Sequence, residues 1–264
     1  MRDVFEQIAE DIARGPVDAV QAARAHSKQN LPKRFYERVS VELKDDVYAV
    51  LLDGSSIKTP ARNTLVFKDE TIAEGVAAEW ELQEEEIDPA TMPLTRIAHS
   101  AIDSVEDKFG DVADEITRYA GNDHLCYRAE APAELVERQK NQWDPVIEWA
   151  ENLFGGSFEL AKGIIHVAQD AAITRAYREQ LNKYDALQLA GIHTVTSISG
   201  SALLALGLAE KAFDADIVWS AAHVDEDWNI ELWGQDDEAA RIRRFKHEEF
   251  MASVLILVGV PEEE

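Results

Sequence analysis

Basic residues are scarce in this sequence. Lysine and arginine together number 26 against 51 aspartates and glutamates, which gives a formal net charge of −25. A field of that sign repels phosphate backbones and anionic lipid surfaces, so nucleic-acid binding and membrane-surface roles are disfavoured. It favours partner proteins that are basic, or basic over the surface that makes contact.

Cysteine is rarer still, because Cys126 is the only one. An intrachain disulfide and a cysteine-based zinc finger are therefore excluded, which fits a reducing compartment. His124 is close in sequence, but a spacing of two residues does not bring both side chains to one face of a helix. We interpret Cys126 as a buried, unreactive thiol.

Long apolar runs are also missing. The segment 187–209 carries polar residues throughout, and 254–260 is too short to span a bilayer. The first fifteen residues contain four acids, whereas transit peptides are poor in acids and secretory signals need an apolar stretch. These features predict a soluble protein without membrane insertion, located in the cytosol.

The hydrophobic pattern predicts an α+β fold in two parts. We expect a helical arm over 1–30, an antiparallel β meander over 35–67 and a helix over 70–83. Glutamates and prolines interrupt the pattern near residue 90, and the chain beyond reads as almost wholly helical. The predicted domains are 1–90, an α+β domain, and 91–261, a mainly helical one.

The most unusual stretch is 214–250, which combines three of the six tryptophans with clustered acids and then a basic run. We expect a helix from Asp214 to about Trp233, ended by Gly234, and a last helix capped by Asp236. Acids in the first turn of that helix, Glu238 among them, are favoured by the helix dipole by about 0.3–1 kcal/mol each. The basic run at 241–246 is interpreted as a charge-paired helix face.

The acids at 223–238 also allow a second interpretation, a metal-dependent enzyme that uses them for acid/base chemistry. On a helix, His223 and Asp227 share a face because they are four residues apart, whereas Asp225 and Glu226 point elsewhere. Neither a zinc-protease HExxH motif nor a phosphate-binding glycine loop is present. The residues alone therefore favour a binding protein over an enzyme.

Several short motifs, taken in order, are similar to a known family. They are Arg34, Phe35 and Tyr36; Asp53 and Gly54 with 58–61; Glu79, Trp80 and Gln83; 87–89 and 92–96; Asp123 with 125–128; Gln139 with 143–145; 199–201; and Trp233, Gly234, Asp236, Glu238 and Ala239. Together they resemble the Atp12 family, the assembly chaperones of the F1 sector of ATP synthase, over about residues 31–250. Asn122 and His124 depart from the family pattern.

The resemblance implies a chaperone that binds the free F1 α subunit and shields its β-contacting surface until β displaces it. It implies no catalysis, no cofactor and no small-molecule substrate. Family members act in mitochondria and in some bacteria, and without a transit peptide we expect the bacterial cytoplasm. The resemblance singles out Glu238, and the acid-and-aromatic pattern adds four further residues as expected partner contacts. These are Asp236, Trp233, Trp228 and Asp227.

Overall fold

The computed structural model describes residues 31–163 and 167–259, which form two compact units. One unit ends at Lys108 and is completed by residues from Met251 onwards, and the other is Phe109–Phe250. Antiparallel strands come first and a mostly helical region follows, which confirms the α+β fold class. Among the helices of the described ranges, none has both the length and the apolar character needed to cross a membrane.

The sheet of the first unit is built around its second strand. The first strand pairs along one edge of it, from Val39 opposite Leu52 to Lys44 opposite Val47. Two short strands share the other edge, and all pairings are antiparallel. The predicted meander is confirmed. The strands are β1 (Val39–Lys44), β2 (Val47–Leu52), β3 (Ser55–Ser56) and β4 (Val66–Phe67).

The turn between β1 and β2 explains why these residues form a hairpin. Asp45 and Asp46 both adopt positive φ, 51° and 63°. Two-residue hairpin turns need that conformation, and aspartate tolerates it better than most residues. The turn fixes the register, and the register buries the end of β2 at Val50, Leu51 and Leu52.

Two helices follow the sheet in the first unit. Helix α1 (Glu70–Glu81) is capped by Asp69, whose carboxylate accepts the Thr71 N–H at 2.8 Å. Its buried face repeats at helical spacing through Ile72, Val76 and Trp80, as predicted. Helix α2 (Pro93–Ser100) continues into a π turn, Ala101–Val105.

Loops of the first unit are tied down by side chains. The Tyr36 hydroxyl donates to the Trp80 carbonyl oxygen at 2.6 Å. The carboxylate of Asp103 accepts hydrogen bonds from the Thr59 hydroxyl, the Ala61 N–H and the Asn63 amide, at 2.5–3.0 Å. These contacts hold the loop between β3 and β4, together with the backbone hydrogen bond from the Ile57 N–H to the Val50 carbonyl oxygen at 3.0 Å.

The second unit contains most of the helices. One prediction there is wrong, because the expected single helix from Asp214 to Trp233 is two helices that meet at His223. The backbone of His223 leaves the helical region (φ −117°, ψ 16°), and its buried ring stacks on Trp219 with centroids 3.9 Å apart. The elements are α3 (Phe109–Ala120), β5 (Tyr127–Arg128), α4 (Ala133–Phe154), β6 (Ala161–Lys162), α5 (Ala171–Leu181), α6 (Ala186–Ser199), α7 (Ala202–Ala209), α8 (Ala215–Ala222), α9 (Val224–Trp233) and α10 (Asp237–Val258).

The core of the second unit lies at the α6–α7 pair. Gly200 ends α6 in the left-handed conformation (φ 68°), and the Ser201 hydroxyl caps α7 by accepting the Leu204 N–H at 3.1 Å. The carboxylate of Asp123, fully buried, accepts the N–H groups of Leu125 and Leu203, each at 3.0 Å. Residues 199–201 therefore end one helix and begin the next.

Two predictions concern residues that the structure does not describe. The helical arm over 1–30 lies outside the described residues, as does most of a short extended piece expected over 164–167. The domain boundary expected at residues 90 and 91 stays a prediction. The two compact units divide at other positions, after Lys108 and after Phe250.

Candidate functional site

The expected contact residues lie at the end of α9 and the start of α10. Trp233 is 84% exposed, and its neighbour Leu232 is 54% exposed. Gly234 then turns the chain with φ 82°, and α10 begins at Asp237. An exposed tryptophan next to an exposed leucine makes this end of α9 a candidate contact surface.

Three consecutive acids, 236–238, follow Trp233 after a two-residue turn, and two of them have defined contacts. Asp236 accepts the backbone N–H groups of Glu238 and Ala239, each at 3.0 Å, so its expected capping role is confirmed. Glu238 lies in the first turn and accepts from the Arg241 guanidinium at 2.8 Å. Its side chain remains 45% exposed. We call residues 233–238 the junction segment, which presents an aromatic ring beside acids.

Asp227 and Trp228 lie earlier on α9, are half-buried and are held by arginines. Asp227 pairs with Arg243 of α10 at 2.5 Å. The Arg138 guanidinium lies over the Trp228 ring, 5.0 Å from its centroid. The structure thus brings Trp233, Asp236 and Glu238 together in one segment, whereas Asp227 and Trp228 contribute less open surface.

Three acids of α9 are engaged by Gln139 and Arg243, which bears on the metal interpretation. Asp225 accepts from the Gln139 amide at 2.7 Å, while Asp227 and Glu226 both contact Arg243. In the described ranges, no group of three or more histidine, cysteine, aspartate or glutamate side chains is placed to hold a metal ion. These contacts give the carboxylates structural partners within the second unit.

Cys126 and His124 are the other reactive residue types considered from sequence. Cys126 is fully buried, and burial raises the pKa of its thiol to about 12. Burial lowers the pKa of the His124 imidazole, because the charged form of an imidazole is the protonated one. The His124 ring packs against Trp143 with centroids 5.1 Å apart. The predicted buried thiol is confirmed, and its raised pKa keeps it protonated at neutral pH.

Some motifs behind the family resemblance hold the second unit together internally. Gln139 accepts the Ala129 N–H at 2.8 Å and also donates to Asp225. The Trp143 indole N–H donates to the Ala221 carbonyl oxygen at 2.8 Å, and this ring is fully buried. Such residues maintain the fold. The motifs behind the resemblance therefore include structural residues as well as candidate contact residues.

A pocket that no sequence pattern predicted lies beside the junction segment. The basic run was interpreted as charge-paired, and this is confirmed for Arg241 and Arg243. Arg244 is exposed and forms no ion pair within the described residues. It lines a pocket of about 460 Å³ that also includes Trp219 and Gln235. Four basic residues within six positions of a very acidic chain were the signal available in the sequence.

Comparisons with known proteins agree with the fold and the motifs. The family model described as ATP12 chaperone protein matches residues 33–151. A curated relative, "Protein atp12, mitochondrial" of Schizosaccharomyces pombe, is 24% identical over 237 residues, which cover 85% of this chain and 81% of that protein.

Two solved bacterial structures are more similar. The crystal structure of Atp12 from Paracoccus denitrificans aligns with a TM-score of 0.77 and 33% identity, over 87% of this chain and 99% of that one. A protein of Agrobacterium tumefaciens, described as a candidate chaperone, aligns with a TM-score of 0.82 and 37% identity. That alignment covers 97% of this chain and 96% of the other.

Proposed function

The chain belongs to the ATP12 chaperone family, and from that premise we propose that it binds the free α subunit of F1 during assembly of ATP synthase. In this proposal it covers the surface of α that later contacts β, and β displaces it. It performs no catalysis and needs no cofactor. The acidic surface suits a client with cationic groups at its exposed interface.

The observation that carries the proposal is the junction segment. Trp233, 84% exposed, precedes Asp236 by three residues and Glu238 by five. Exposed aromatic rings act as anchors in protein interfaces, and nearby carboxylates select cationic partners. Trp228 and Asp227 support this surface from α9. Because α must be released to β, we expect a modest affinity.

The bacterial cytoplasm is the proposed location. The two bacterial structures are 37% and 33% identical to this chain, whereas the mitochondrial relative is 24% identical. The proposed client would meet the chaperone there before it joins the F1 sector.

The test is retention of isolated F1 α subunit on immobilised wild type and on Glu238→Lys. Charge reversal at a contacting carboxylate should weaken retention by at least about tenfold, which corresponds to about 1.4 kcal/mol. Glu134→Lys is the matched control, because Glu134 is an exposed acid in the first turn of α4. It reproduces the unfavourable helix-dipole effect at another surface.

Equal retention of α by wild type and by folded Glu238→Lys would remove Glu238 from the contact. A wild-type chaperone that retains β or an unrelated basic protein as well as it retains α would overturn the proposed client. Dissociation of the α complex on addition of β tests the release step.

A further inference from the structure

A pocket in the second unit borders the junction segment. It has a volume of about 460 Å³. One wall is the loop residue Gln235, one is Trp219 of α8, and the rest is a face of α10. The lining residues are Trp219, Gln235, Ala240, Arg243, Arg244, His247 and Glu248.

The aromatic wall of this pocket is held by neighbouring rings. Trp219 stacks on His223 at 3.9 Å, meets His247 edge-on at 4.7 Å and contacts Phe250 at 5.2 Å between centroids. Phe250 and His223 are both buried, so the Trp219 ring has a fixed position. A fixed aromatic surface can pack against the aliphatic part of an incoming side chain at low entropic cost.

The two arginines of the pocket differ in how far they are already engaged by carboxylates of the protein. Arg243 is engaged by Asp227 at 2.5 Å and by Glu226 at 3.7 Å. Arg244 is exposed and has no ion-pair partner within the described residues, and Glu248 stands one turn further along α10. One available guanidinium beside an aromatic ring and a carboxylate matches a single negative charge better than a doubly charged phosphate.

We propose that this pocket receives an aspartate or glutamate side chain of the client protein. The client carboxylate pairs with the Arg244 guanidinium, and its methylene groups lie on Trp219. This inference rests on the proposed function, since it names a second contact of the same client surface. The chaperone then offers carboxylates at the junction segment and a cation next to them, so that the client is held in one orientation.

The experiment measures binding of isolated F1 α subunit to wild type, Arg244→Glu and Arg175→Glu. Arg175 is an exposed arginine of α5, which contributes no residue to the pocket, and its reversal makes the same change in net charge. Arg244→Glu should weaken binding by at least about tenfold, because the client carboxylate would meet the introduced carboxylate as well as Glu248. Arg175→Glu should leave binding within about twofold of wild type.

The salt dependence of binding distinguishes the loss of an ion pair from unfolding of the variant. The difference between Arg244→Glu and wild type should shrink when ionic strength rises from about 0.05 M to about 0.5 M. Arg244→Lys, which keeps the charge but loses the planar fork, should bind between wild type and Arg244→Glu.

Several results would overturn the inference, and one of them also overturns the proposed function. Suppose that α binds wild type and that Glu238→Lys weakens this binding. If Arg244→Glu then binds α as well as Arg175→Glu does, only the pocket assignment is wrong. If wild type does not bind α, both proposals are wrong. If inorganic phosphate raises the melting temperature of wild type but not of Arg244→Glu, the pocket holds a small anion instead.

Discussion

Glu79 caps the helix that begins fourteen residues after it, at Pro93. Its carboxylate accepts the Thr95 N–H at 2.7 Å and the Thr95 hydroxyl at 2.6 Å, and it also accepts the Leu94 N–H at 2.7 Å. Helix α2 has no side-chain cap from the residue that precedes it. A residue of α1 therefore satisfies the free N–H groups at the start of α2.

Replacing Glu79 with alanine should lower the free energy of unfolding by about 1–3 kcal/mol, because two backbone N–H groups lose their acceptor. Urea unfolding followed by tryptophan fluorescence measures this change. Glu74→Ala is the control, since Glu74 is an exposed residue of the same helix. Equal midpoints for the two variants would contradict the capping role.

Buried His99 should make the first unit less stable in acid. Burial lowers the pKa of its imidazole from 6.5 to about 4, with Asp103 opposing the shift. A depressed pKa means that the fold is favoured while the ring is neutral, so stability is full above pH 6.5. It should fall by about 3 kcal/mol as pH approaches 4.

His99→Gln should remove that dependence, and unfolding at pH 7, 6, 5 and 4 measures it. His247→Gln, at an exposed position of α10, is the matched control and should keep the wild-type slope. A slope in His99→Gln identical to that of wild type would assign the acid sensitivity to other groups.

Asp123 should act in the opposite direction. Burial raises the pKa of its carboxyl to about 6, although hydrogen bonds from Leu203, Ser201 and Leu125 oppose this. A raised pKa contributes stability below pH 3.8, and that contribution, about 3 kcal/mol, is lost as pH rises through 6. Asp123→Asn should abolish this slope. At low pH, where the Asp123 carboxyl is protonated, the variant should also be less stable than wild type, because an amide nitrogen would face an N–H donor. The pH series used for His99 measures both effects, and an unchanged slope would contradict the assignment.

Trp233→Ala should separate binding from stability. At 84% exposure the ring adds little to the fold, so the free energy of unfolding should change by no more than about 0.5 kcal/mol. Retention of F1 α should nevertheless fall by about tenfold or more, as for an interface anchor. Leu160→Ala, at another exposed apolar position, serves as the control. Undiminished retention would contradict an anchoring role for Trp233.

Local signals predicted much of the fold. The β meander, the helix expected over 70–83 and the cap at Asp236 depend on neighbouring residues, and all three agree with the structure. The break at His223 was not predicted because it depends on packing of the His223 ring on Trp219, within a pattern that otherwise suits one helix.

The candidate site was predicted less completely for the same reason. Trp228 and Trp233 are five residues apart, which separates their directions on a helix by about 140°. That spacing could have indicated that they do not share one surface. The pairing of Asp227 with Arg243 joins two helices, and nothing in the local sequence specifies it. Which arginine of the basic run stays available followed only from the structure.

The path of α10 has a consequence for synthesis on the ribosome. Its residues from Met251 onwards belong to the first unit, and a methyl group at Gly75 would lie 2.9 Å from Leu255. The sheet and α1 emerge early during translation, yet this unit lacks its final packing residues until Leu255 is made. The junction segment emerges only some twenty residues earlier. Completion of the first unit and presentation of the proposed client surface therefore occur within about twenty residues of each other during translation, so the nascent chain gains both together.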